Sequence, residues 1–459
     1  MALGNKISVY GDYDVDGICS SAILWETLYS SYKNVFPHIP HRETEGYGLS
    51  IKGIDHCLKQ EAKLIIAVDN GIVAFDEIKY CQRKKCDIIV IDHHEPEKKL
   101  PKANVILHST SACAAGLTWF FCRDCLGKPN LEHLSLAAIA TICDIVPLLG
   151  TNRSIAKFGL EQLNQTSRPG LQALFKIAGI SSITPYQVGF IIGPRLNAMG
   201  RLEHAIDSLR LLCTTNPSRA RELAKLLNAT NEQRQTETQI SVQHALQQTT
   251  TNNILMTADT SYHEGIIGLI AAKLVENYWR PSLAVSIGEI TSKGSGRSIP
   301  GFHITEFLRQ QEKLFISLGG HAMACGFTIK TAKLDKLAKF VATAKIDPAL
   351  VIKKQRIDLE IPISVINYEL TNQLTKFEPF GLGNPTPVFQ STGQISDIKT
   401  VGRENKHLKF KVDGLDAIWF NATNTLKPGT YTLTYSLEKD TWNGQDKLQL
   451  VIKDVKQSL

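Results

Sequence analysis

The pattern of apolar and polar positions predicts a parallel α/β domain at the start of the chain. Within residues 1–110, amphipathic stretches separate three short runs rich in Ile and Val, which are Lys6–Tyr10, Leu64–Val68 and Asp87–Ile91. Short strands that alternate with helical patterns are typical of a parallel sheet with crossover helices. Because residues 111–165 have a mostly helical pattern, we predict that this first domain spans residues 1–165.

A helical connector and a second α/β domain are predicted next. From Ala205 to Gln248 the chain is polar and contains no glycine, and the stretch after Pro217 can form one long helix. We assign residues 166–250 to this connector and residues 251–346 to the second α/β domain. Its strands are expected within Asn253–Thr257, Ser282–Ser286 and the glycine-rich segment Gly294–Gly301.

Residues 347–459 have the alternating pattern of a small all-β domain. The segments in which side-chain character alternates are Lys409–Val412, Tyr431–Leu437 and Leu448–Ile452. An Asn443-Gly444 pair follows Trp442 between the last two segments, and Asn-Gly is a strong signal for a tight hairpin turn. The predicted fold class is therefore α/β, with two α/β domains joined by a long helix and a β domain at the end.

Composition and charge exclude several classes of protein. Apolar residues make up 43% of the 459 positions and charged residues 21%, which is ordinary globular usage and excludes a disordered chain. No apolar run approaches the ~20 residues that span a bilayer, and the first residues lack the pattern of a secretion signal. Ten scattered cysteines then predict reduced thiols in the cytoplasm. The net charge of +7 is compatible with a polyanionic partner but is too small to establish one.

Acidic residues lie at the ends of the three predicted strands of the first domain. Asp12, Asp69 and Asp92 stand just after their carboxyl ends. Since ligand sites in open parallel sheets form at this edge, we expect these acids to converge. Asp14 and Asp16 alternate with Asp12, so in an extended segment the three side chains would point the same way, roughly 7 Å apart. Carboxylates packed this closely raise one another's pKa unless cations neutralise them.

Two histidines extend this acidic set into a candidate metal site. His93 and His94 follow Asp92 directly, and a mainly oxygen ligand set with some nitrogen suits Mn²⁺ or Mg²⁺ better than zinc. An EF-hand loop is disfavoured, because its twelfth position needs Glu and is Ile23 here. A single strand-end Asp could equally be a helix cap. Other histidines and cysteines have no candidate ligands beside them in sequence, and we interpret them as structural. They are His56, His133, His204 and the pair Cys122 and Cys125.

The motifs of the chain resemble those of the DHH phosphoesterase superfamily. Its four N-terminal motifs are matched by GDYDVDG at Gly11–Gly17, VDNG at Val68–Gly71, DHHE at Asp92–Glu95 and CDIVPL at Cys143–Leu148. Motifs of its RecJ branch are matched by GPRLNAMGR at Gly193–Arg201, YHEGIIGLIAAKL at Tyr262–Leu274, GSGRSIPGFHI at Gly294–Ile304, GGHAMACGF at Gly319–Phe327 and EPFGLGNPTPVF at Glu378–Phe389. The order and spacing of these motifs hold over almost the whole chain.

The resemblance implies an architecture and an activity. The architecture is a DHH domain, a long linking helix, a DHH-associated domain and an oligonucleotide-binding (OB) barrel at residues 347–459. The activity is that of a single-stranded-DNA-specific 5′→3′ exonuclease in DNA repair and recombination. A single-strand-binding protein and a helicase are the protein partners implied, and we expect a cytoplasmic monomer without membrane contact.

The resemblance also implies a centre of two ions, Mn²⁺ or Mg²⁺, which can clamp the attacking and leaving oxygens of a phosphoryl displacement. The ligands that it implies are Asp12, Asp14, Asp16, Asp69, His93 and Asp144. Asp69 would bridge the ions, Asp12 and Asp14 would serve one of them, and the other three ligands would serve the second. His94 would donate a hydrogen bond to the scissile phosphate. The expected catalytic residues are therefore His94, Asp69 and Asp144.

A preference for a 5′ end requires a site for a terminal phosphate. Ser295 and Arg297 suit this role, since the glycines around them let backbone amides approach an anion and the guanidinium offers a planar fork. By local sequence alone, GSGR could instead be a flexible hairpin. Further substrate contacts are expected from Arg42, Arg195, Asn197, Arg201 and His321. For Asn197 a backbone-capping role is the alternative.

The β domain contains side chains of the kind that bind single strands. OB folds combine aromatic surfaces, on which bases stack, with a basic groove. The candidate platforms are Trp419, Phe420 and Trp442, and the candidate basic residues are Lys406, His407 and Lys409. The alternative for each aromatic residue is a place in the barrel core.

The chain departs from the RecJ pattern in three places, and other functions stay open. The first motif, with Asp12, lies close to the first residue of the sequence. We therefore expect that the segment usual before this motif is reduced or that the recorded start is internal. Leu107–Gly116 lacks the usual Asn-Pro and Cys-Gly-Ala-Gly pattern, and Tyr10 stands where other DHH enzymes place a ligand histidine. A DHH phosphodiesterase for short oligoribonucleotides or cyclic dinucleotides is disfavoured by the β domain. A catalytically silent replisome scaffold is disfavoured by the retained metal ligands.

Overall fold

The two predicted α/β domains and the β domain are all present in the structure. The computed structural model describes residues 4–248, 252–402, 406–422, 426–440 and 447–457. Contacts divide the chain into one unit made of Met1–Val146 and Phe158–Lys353 and a second made of Pro147–Lys157 and Lys354–Leu459. The first unit contains two sheets and the helices between them, and the second contains the β domain, so the predicted fold class is confirmed.

The first sheet has five parallel strands in the order β2-β1-β3-β4-β5. Their bounds are β1 (Lys6–Tyr10), β2 (Val35–His38), β3 (Ala62–Val68), β4 (Asp87–Asp92) and β5 (Val105–His108). The three predicted strands are the central ones. The two edge strands have four residues each, and Pro37 in β2 lacks the N–H that a central strand would need.

Helices cover this sheet and lead into the connector. Their bounds are α1 (Val15–Ser31), α2 (Ile51–Lys59), α3 (Phe75–Arg83), α4 (Ala114–Leu126), α5 (Leu131–Cys143), α6 (Gly150–Leu163), α7 (Pro169–Ala178), α8 (Pro185–Gln187), α9 (Gly193–Leu202), α10 (Ile206–Cys213) and α11 (Pro217–Gln248). A π-helical segment, Val188–Ile192, joins α8 to α9. The predicted helical region 111–165 and the predicted long helix after Pro217 are both confirmed.

The second sheet is mixed, in the order β6-β7-β8-β10-β9. Its elements are β6 (Leu255–Asp259), α12 (Ile267–Tyr278), β7 (Ser282–Ser286), β8 (Thr291–Arg297), α13 (Ile304–Arg309), β9 (Phe315–Gly320), β10 (Ala324–Lys330) and α14 (Leu334–Ala342). Glycine is required in β8, because a Cβ at Gly294 would lie 2.0 Å from the ring of Phe327 on the neighbouring strand. The GSGR segment is therefore a paired strand and not a flexible hairpin.

The second unit is built on a closed five-stranded barrel, with the order β12-β13-β14-β16-β15 and a pairing of β15 back to β12. Its elements are β11 (Leu359–Glu360), α15 (Tyr368–Leu374), β12 (Phe389–Val401), β13 (His407–Val412), β14 (Leu415–Trp419), β15 (Gly429–Asp440) and β16 (Lys447–Gln457). Trp419 was wrong as a candidate platform, because it is 8% exposed in the barrel core. Phe420 is 50% exposed beside His407, and the Trp442 turn lies outside the described residues.

Two expectations from composition can be compared with the structure. All ten cysteines are free thiols, in agreement with the prediction against a disulfide framework. In the part of the chain that is described, none of the helices combines the length and the apolar character needed to cross a bilayer.

A buried ion-pair network ties α1 to the helices of the connector. The guanidinium of Arg168, just before α7, donates to both carboxylate oxygens of Glu26 on α1, at 2.7 Å each. The ring of His133 on α5, interpreted from sequence as structural, lies 2.9 Å from the same carboxylate. Burial alone would raise the pKa of Glu26, but these hydrogen bonds lower it to about 2. The charged form of Glu26 therefore stabilises the fold.

We expect Glu26→Gln to lower the free energy of unfolding by about 3 kcal/mol at neutral pH, since the largely buried Arg168 loses the closer of its two carboxylate partners and keeps only Glu132, 3.6 Å away. The folded pKa lies below the ordinary value, so this stabilisation is complete above about pH 4.5 and is lost as the pH falls towards 2. Urea unfolding of both proteins at several pH values measures the effect. Equal losses of stability for wild type and variant over that acid range would contradict it.

Candidate metal centre

The carboxyl edge of the first sheet gathers the acids and histidines of the predicted metal site. Asp12 follows β1, Asp69 follows β3 and His93 follows β4, and these three strands are neighbours in the sheet. Asp69 is placed by a backbone turn with a φ of 64°, in the left-handed region. Asp144 comes from a helical layer, as the C-cap residue of α5. Residues far apart in sequence are thus brought together at one edge.

The Asp-x-Asp-x-Asp segment is not extended, so the expectation of three side chains along one strand face was wrong. Asp14 is the N-cap residue of α1, and its carboxylate accepts hydrogen bonds from the backbone N–H groups of Asp16 and Gly17, at 3.0 and 3.1 Å. The helix begins at Val15, so Asp16 lies in its first turn. The strong preference of Asp for the N-cap position outweighs the alternating pattern.

The described residues contain three groups whose ligand atoms all lie within 4.8 Å of one another. These groups are Asp12, Asp14 and Asp69; Asp16, His93 and Asp144; and Asp69, His93 and His94. The Nε2 atom of His93 lies 3.2 Å from Oδ1 of Asp69 and 3.5 Å from Oδ2 of Asp16. Asp69 therefore stands between the first two groups, where a ligand shared by two ions would have to be.

The N-terminus of α4 fixes one of these ligands. Both carboxylate oxygens of Asp16 accept hydrogen bonds, one from the backbone N–H of Ala114 and one from that of Ala115, each at 2.7 Å. These amides belong to the first turn of α4, where N–H groups have no partner within the helix. The atypical segment Leu107–Gly116 thus supports the site through its backbone, which explains why its side chains can differ.

Two other carboxylates in the site are buried without hydrogen-bond donors. Among the described residues, three of their oxygens have no hydrogen-bond partner: both oxygens of Asp12 and Oδ1 of Asp69. Burial and the charge of Asp14 raise the pKa of Asp12 well above its usual range, and burial and the charge of Asp16 do the same for Asp69. Burial also raises the pKa of Asp144 to about 8. Hard divalent cations would supply the missing positive charge, so the ligand set fits Mn²⁺ or Mg²⁺.

The two histidines differ in charge. Burial and the neighbouring His94 lower the pKa of His93 to about 4, which leaves a neutral ring that can ligate an ion. Burial alone would lower the pKa of His94, but the hydrogen bond of its Nδ1 with Asp92, at 2.7 Å, raises this pKa to about 9. The second oxygen of Asp92 accepts from the backbone N–H of Ile72. Asp92 therefore orients His94, whose Nε2 lies 2.7 Å from the hydroxyl of Tyr47.

A second polar pocket is formed on β8 by the predicted terminal-phosphate residues. The Nη1 atom of Arg297 donates to the hydroxyl of Ser295 at 3.0 Å and to the backbone oxygen of Gly296 at 2.8 Å. Gly268 on α12 faces this pair, and a Cβ there would lie 3.0 Å from Nη2 of Arg297. Burial lowers the pKa of Arg297. Ser295 and Arg297 thus bring a hydroxyl and a guanidinium group together, and both can donate to an anion.

Two more of the predicted basic residues, Arg42 and Arg201, make hydrogen bonds to backbone oxygens of distant segments. The Nε atom of Arg42 donates to the backbone oxygen of Gly200 at 2.8 Å, and its guanidinium stands 4.2 Å from the ring centroid of Tyr13. Arg201 donates to the backbone oxygen of Gly265 at 2.9 Å. Burial and the nearby charge of Arg42 lower the pKa of Arg201 to about 10. Guanidinium groups this crowded are typical of a site for anions.

The other three predicted substrate residues are placed differently. The side-chain oxygen of Asn197 accepts from the backbone N–H of Val15 at 3.1 Å, which is the capping alternative. Arg195 is directed towards α11, where its Nε donates to Asn228 at 3.0 Å. His321 is exposed just after β9. No contact within the described ranges joins Arg195 or His321 to the metal-ligand groups.

Sequence reasoning missed two residues near these sites and left one open. Tyr47 and Arg234 were not singled out, although Tyr47 contacts His94 and the charge of Arg234 acts on Arg201. An arginine in the middle of a polar helix carries little local signal, and a tyrosine in a loop carries none. Tyr10 is buried in the core, with its hydroxyl donating to a backbone oxygen, and belongs to none of the ligand groups.

Comparisons with known proteins agree with this geometry. The sequence matches the DHH family N-terminal domain over residues 6–142, the DHHA1 domain over residues 251–345 and the RecJ OB domain over residues 357–454. The structure superposes on the crystal structure of Thermus thermophilus RecJ in complex with Mn²⁺ with a TM-score of 0.89. That match has 29% sequence identity and covers 99% of this chain and 69% of the other.

Named relatives extend over almost the whole chain. The single-stranded-DNA-specific exonuclease RecJ of Bacillus subtilis is 33% identical over 478 residues, which cover 98% of this chain and 61% of the relative. The chain thus spans less than two thirds of that protein. The RecJ exonuclease of Escherichia coli is 30% identical over 508 residues, which cover 98% of this chain and 87% of the relative. The chain therefore belongs to the RecJ family of single-stranded-DNA-specific exonucleases.

Proposed function

We propose that this protein is a metal-dependent 5′→3′ exonuclease that hydrolyses single-stranded DNA in repair and recombination. The observation that carries the proposal is the pair of ligand groups Asp12, Asp14, Asp69 and Asp16, His93, Asp144, which meet where Asp69 lies 3.2 Å from His93. Buried carboxylate oxygens of Asp12 and Asp69 lack hydrogen-bond donors there. Two divalent ions, Mn²⁺ or Mg²⁺, would polarise the scissile phosphate and activate water when bound. The named relatives and the crystal structure of a Mn²⁺-bound RecJ support this assignment.

The residues of the chain have separate roles in this proposal. Asp12 and Asp14 would hold one ion, and the group formed by Asp16, His93 and Asp144 the other. The cationic ring of His94, oriented by Asp92, would donate a hydrogen bond to a phosphate oxygen. Rigid support of these groups by strand ends and helix termini keeps them in place before the substrate arrives.

The 5′→3′ direction of digestion would come from recognition of a terminal phosphate. Ser295, Arg297 and Arg42 would offer hydroxyl and guanidinium donors for a 5′ phosphate, and the positive charge of Arg201 would add to the attraction. A phosphate bound there would set how far the strand enters before cleavage. An internal segment of a strand would not place its backbone in the same way, so ends would be preferred.

Several finer assignments belong to the same proposal. The division of the chain into residues 1–165, 166–250, 251–346 and 347–459 is one of them. The OB barrel would also bind the single strand, with exposed Phe420 as a stacking surface. A single-strand-binding protein and a helicase are the proposed partners, and a monomer in the cytoplasm is the proposed state.

We expect Asp69→Ala to abolish saturable Mn²⁺ binding in calorimetry and to reduce the rate of DNA hydrolysis by about 10³-fold or more, since the shared ligand is lost. Mn²⁺ should raise the melting temperature of the wild type but not of the variant, because an ion that binds only the folded chain stabilises it. Asp76→Ala, at an exposed position, is the matched control. Full Mn²⁺ binding by the Asp69 variant would contradict the proposed centre.

We expect the wild type to degrade a 5′-phosphorylated single strand faster than a 5′-hydroxyl strand, with mononucleotides released from the 5′ end. Digestion of strands labelled at either end measures both properties. Arg297→Ala should reduce the preference for the phosphate by about tenfold to a hundredfold, the range for a lost charge-assisted hydrogen bond. The exposed Arg309→Ala is the control. Release from the 3′ end, or digestion of only dinucleotides, would contradict the proposal.

A further inference from the structure

The long helix α11 has one buried face along its length, and this face changes character in the middle. Its buried positions recur at helical spacing and are Ala220, Leu223, Ala224, Leu227, Thr230, Asn231, Ser241 and Ala245. The first part is apolar, and α11 packs against α7, α9 and α10. At the other end, Ala245 joins the core formed with β6 and α12. Between these two apolar contacts the face is polar.

The polar part consists of Asn231, Arg234 and Thr238, which lie three and four residues apart and therefore on one side of the helix. Asn231 is 0% exposed, and its side-chain oxygen accepts a hydrogen bond from Nη2 of Arg234 at 2.7 Å. Three further side-chain atoms are buried without a partner in the described residues, and they are Nδ2 of Asn231, Nε of Arg234 and Oγ1 of Thr238. All three can donate a hydrogen bond.

Buried donors without acceptors are unfavourable, and natural proteins seldom retain them without a reason. An apolar side chain at either position 231 or 238 would continue the packed face without this penalty. Asn231 and Arg234 are instead hydrogen-bonded to each other, and Thr238 lies one turn further along the same side of the helix. Such an arrangement is suited to an anion with several acceptor oxygens, of which a phosphate is the common biological example.

The charges nearby point to the same ligand. Arg201 is close enough to both Arg234 and Arg297 for their charges to lower its pKa, and Arg195 acts in the same way on Arg234. The carboxylates that act on this row are those of Asp14, in the metal centre, and Glu232. Arg201 therefore lies within electrostatic range of Arg297 on β8 and of Arg234 on α11.

We propose that Asn231, Arg234 and Thr238 form a second phosphate subsite, which binds a backbone phosphate of the substrate strand. This inference rests on the proposed function, since the phosphate belongs to the strand that the enzyme hydrolyses. The subsite holds the strand in the same way whether its 5′ end is phosphorylated or not. The subsite raises the affinity for the strand and fixes the position of its backbone, but it does not recognise the 5′ end.

The test compares binding with stability in the full chain. Fluorescence anisotropy in EDTA follows binding of an oligothymidylate of about 20 nucleotides, longer than an OB-fold footprint of ~4–16, with either a 5′ phosphate or a 5′ hydroxyl. Arg234→Gln should weaken binding of both strands by about tenfold. It should also reduce the slope of log affinity against log salt by roughly 0.7, the value for one lost phosphate contact on a single strand. Arg221→Gln, exposed on the same helix, is the matched control.

Thr238→Val separates a binding role from a structural one. The variant keeps the shape of the side chain and removes the unpartnered hydroxyl, so its melting temperature should stay equal or rise while its affinity for both strands falls about threefold or more. Unchanged affinity of Arg234→Gln and Thr238→Val, with a wild type that binds and degrades the strand, would overturn the subsite. Loss confined to the 5′-phosphorylated strand would also overturn it. A wild type that neither binds nor degrades the strand would contradict the proposed function instead.

Discussion

Repulsion among buried carboxylates is the constraint on which the rest of this structure depends. Asp12, Asp16 and Asp69 are each about 2% exposed or less and lie at one sheet edge, an arrangement that no isolated chain would favour. The fold imposes it through rigid parts: the ends of parallel strands, and the N-termini of α1 and α4. The positive charges of Arg42 and His94 act on Asp12 and oppose this repulsion. Divalent cations at this edge would relieve the remaining repulsion.

The central strands were predictable because their signal is local. Each is a run of Ile and Val that is buried on both faces, and such runs stand out in a single sequence. The edge strands β2 and β5 were not predictable, because they are short and their pairing depends on the strand beside them. Pro37 even argues against a strand when it is considered alone. Tertiary pairing supplied what the local pattern lacked.

The site could be predicted as a set of residues but not as an arrangement. Strand-end acids and paired histidines indicate a metal centre, because parallel strands share one carboxyl edge. Their roles depend on contacts across the chain: Asp14 caps a helix, and Asp92 is turned to hold His94. Asn197 reaches Val15, 182 positions away in the sequence, which no local pattern can show. Trp419 likewise became a core residue through the closure of the barrel.

The geometry of α11 makes its length a functional quantity. Each residue of an α-helix adds about 1.5 Å of rise and about 100° of rotation. The 32 residues from Pro217 to Gln248 connect a helical layer at one end with the sheet that carries Arg297 at the other. Natural variation should therefore tolerate exchanges on the outer face of this helix far more readily than a change in its number of residues. One inserted residue would swing the second sheet by more than a quarter turn.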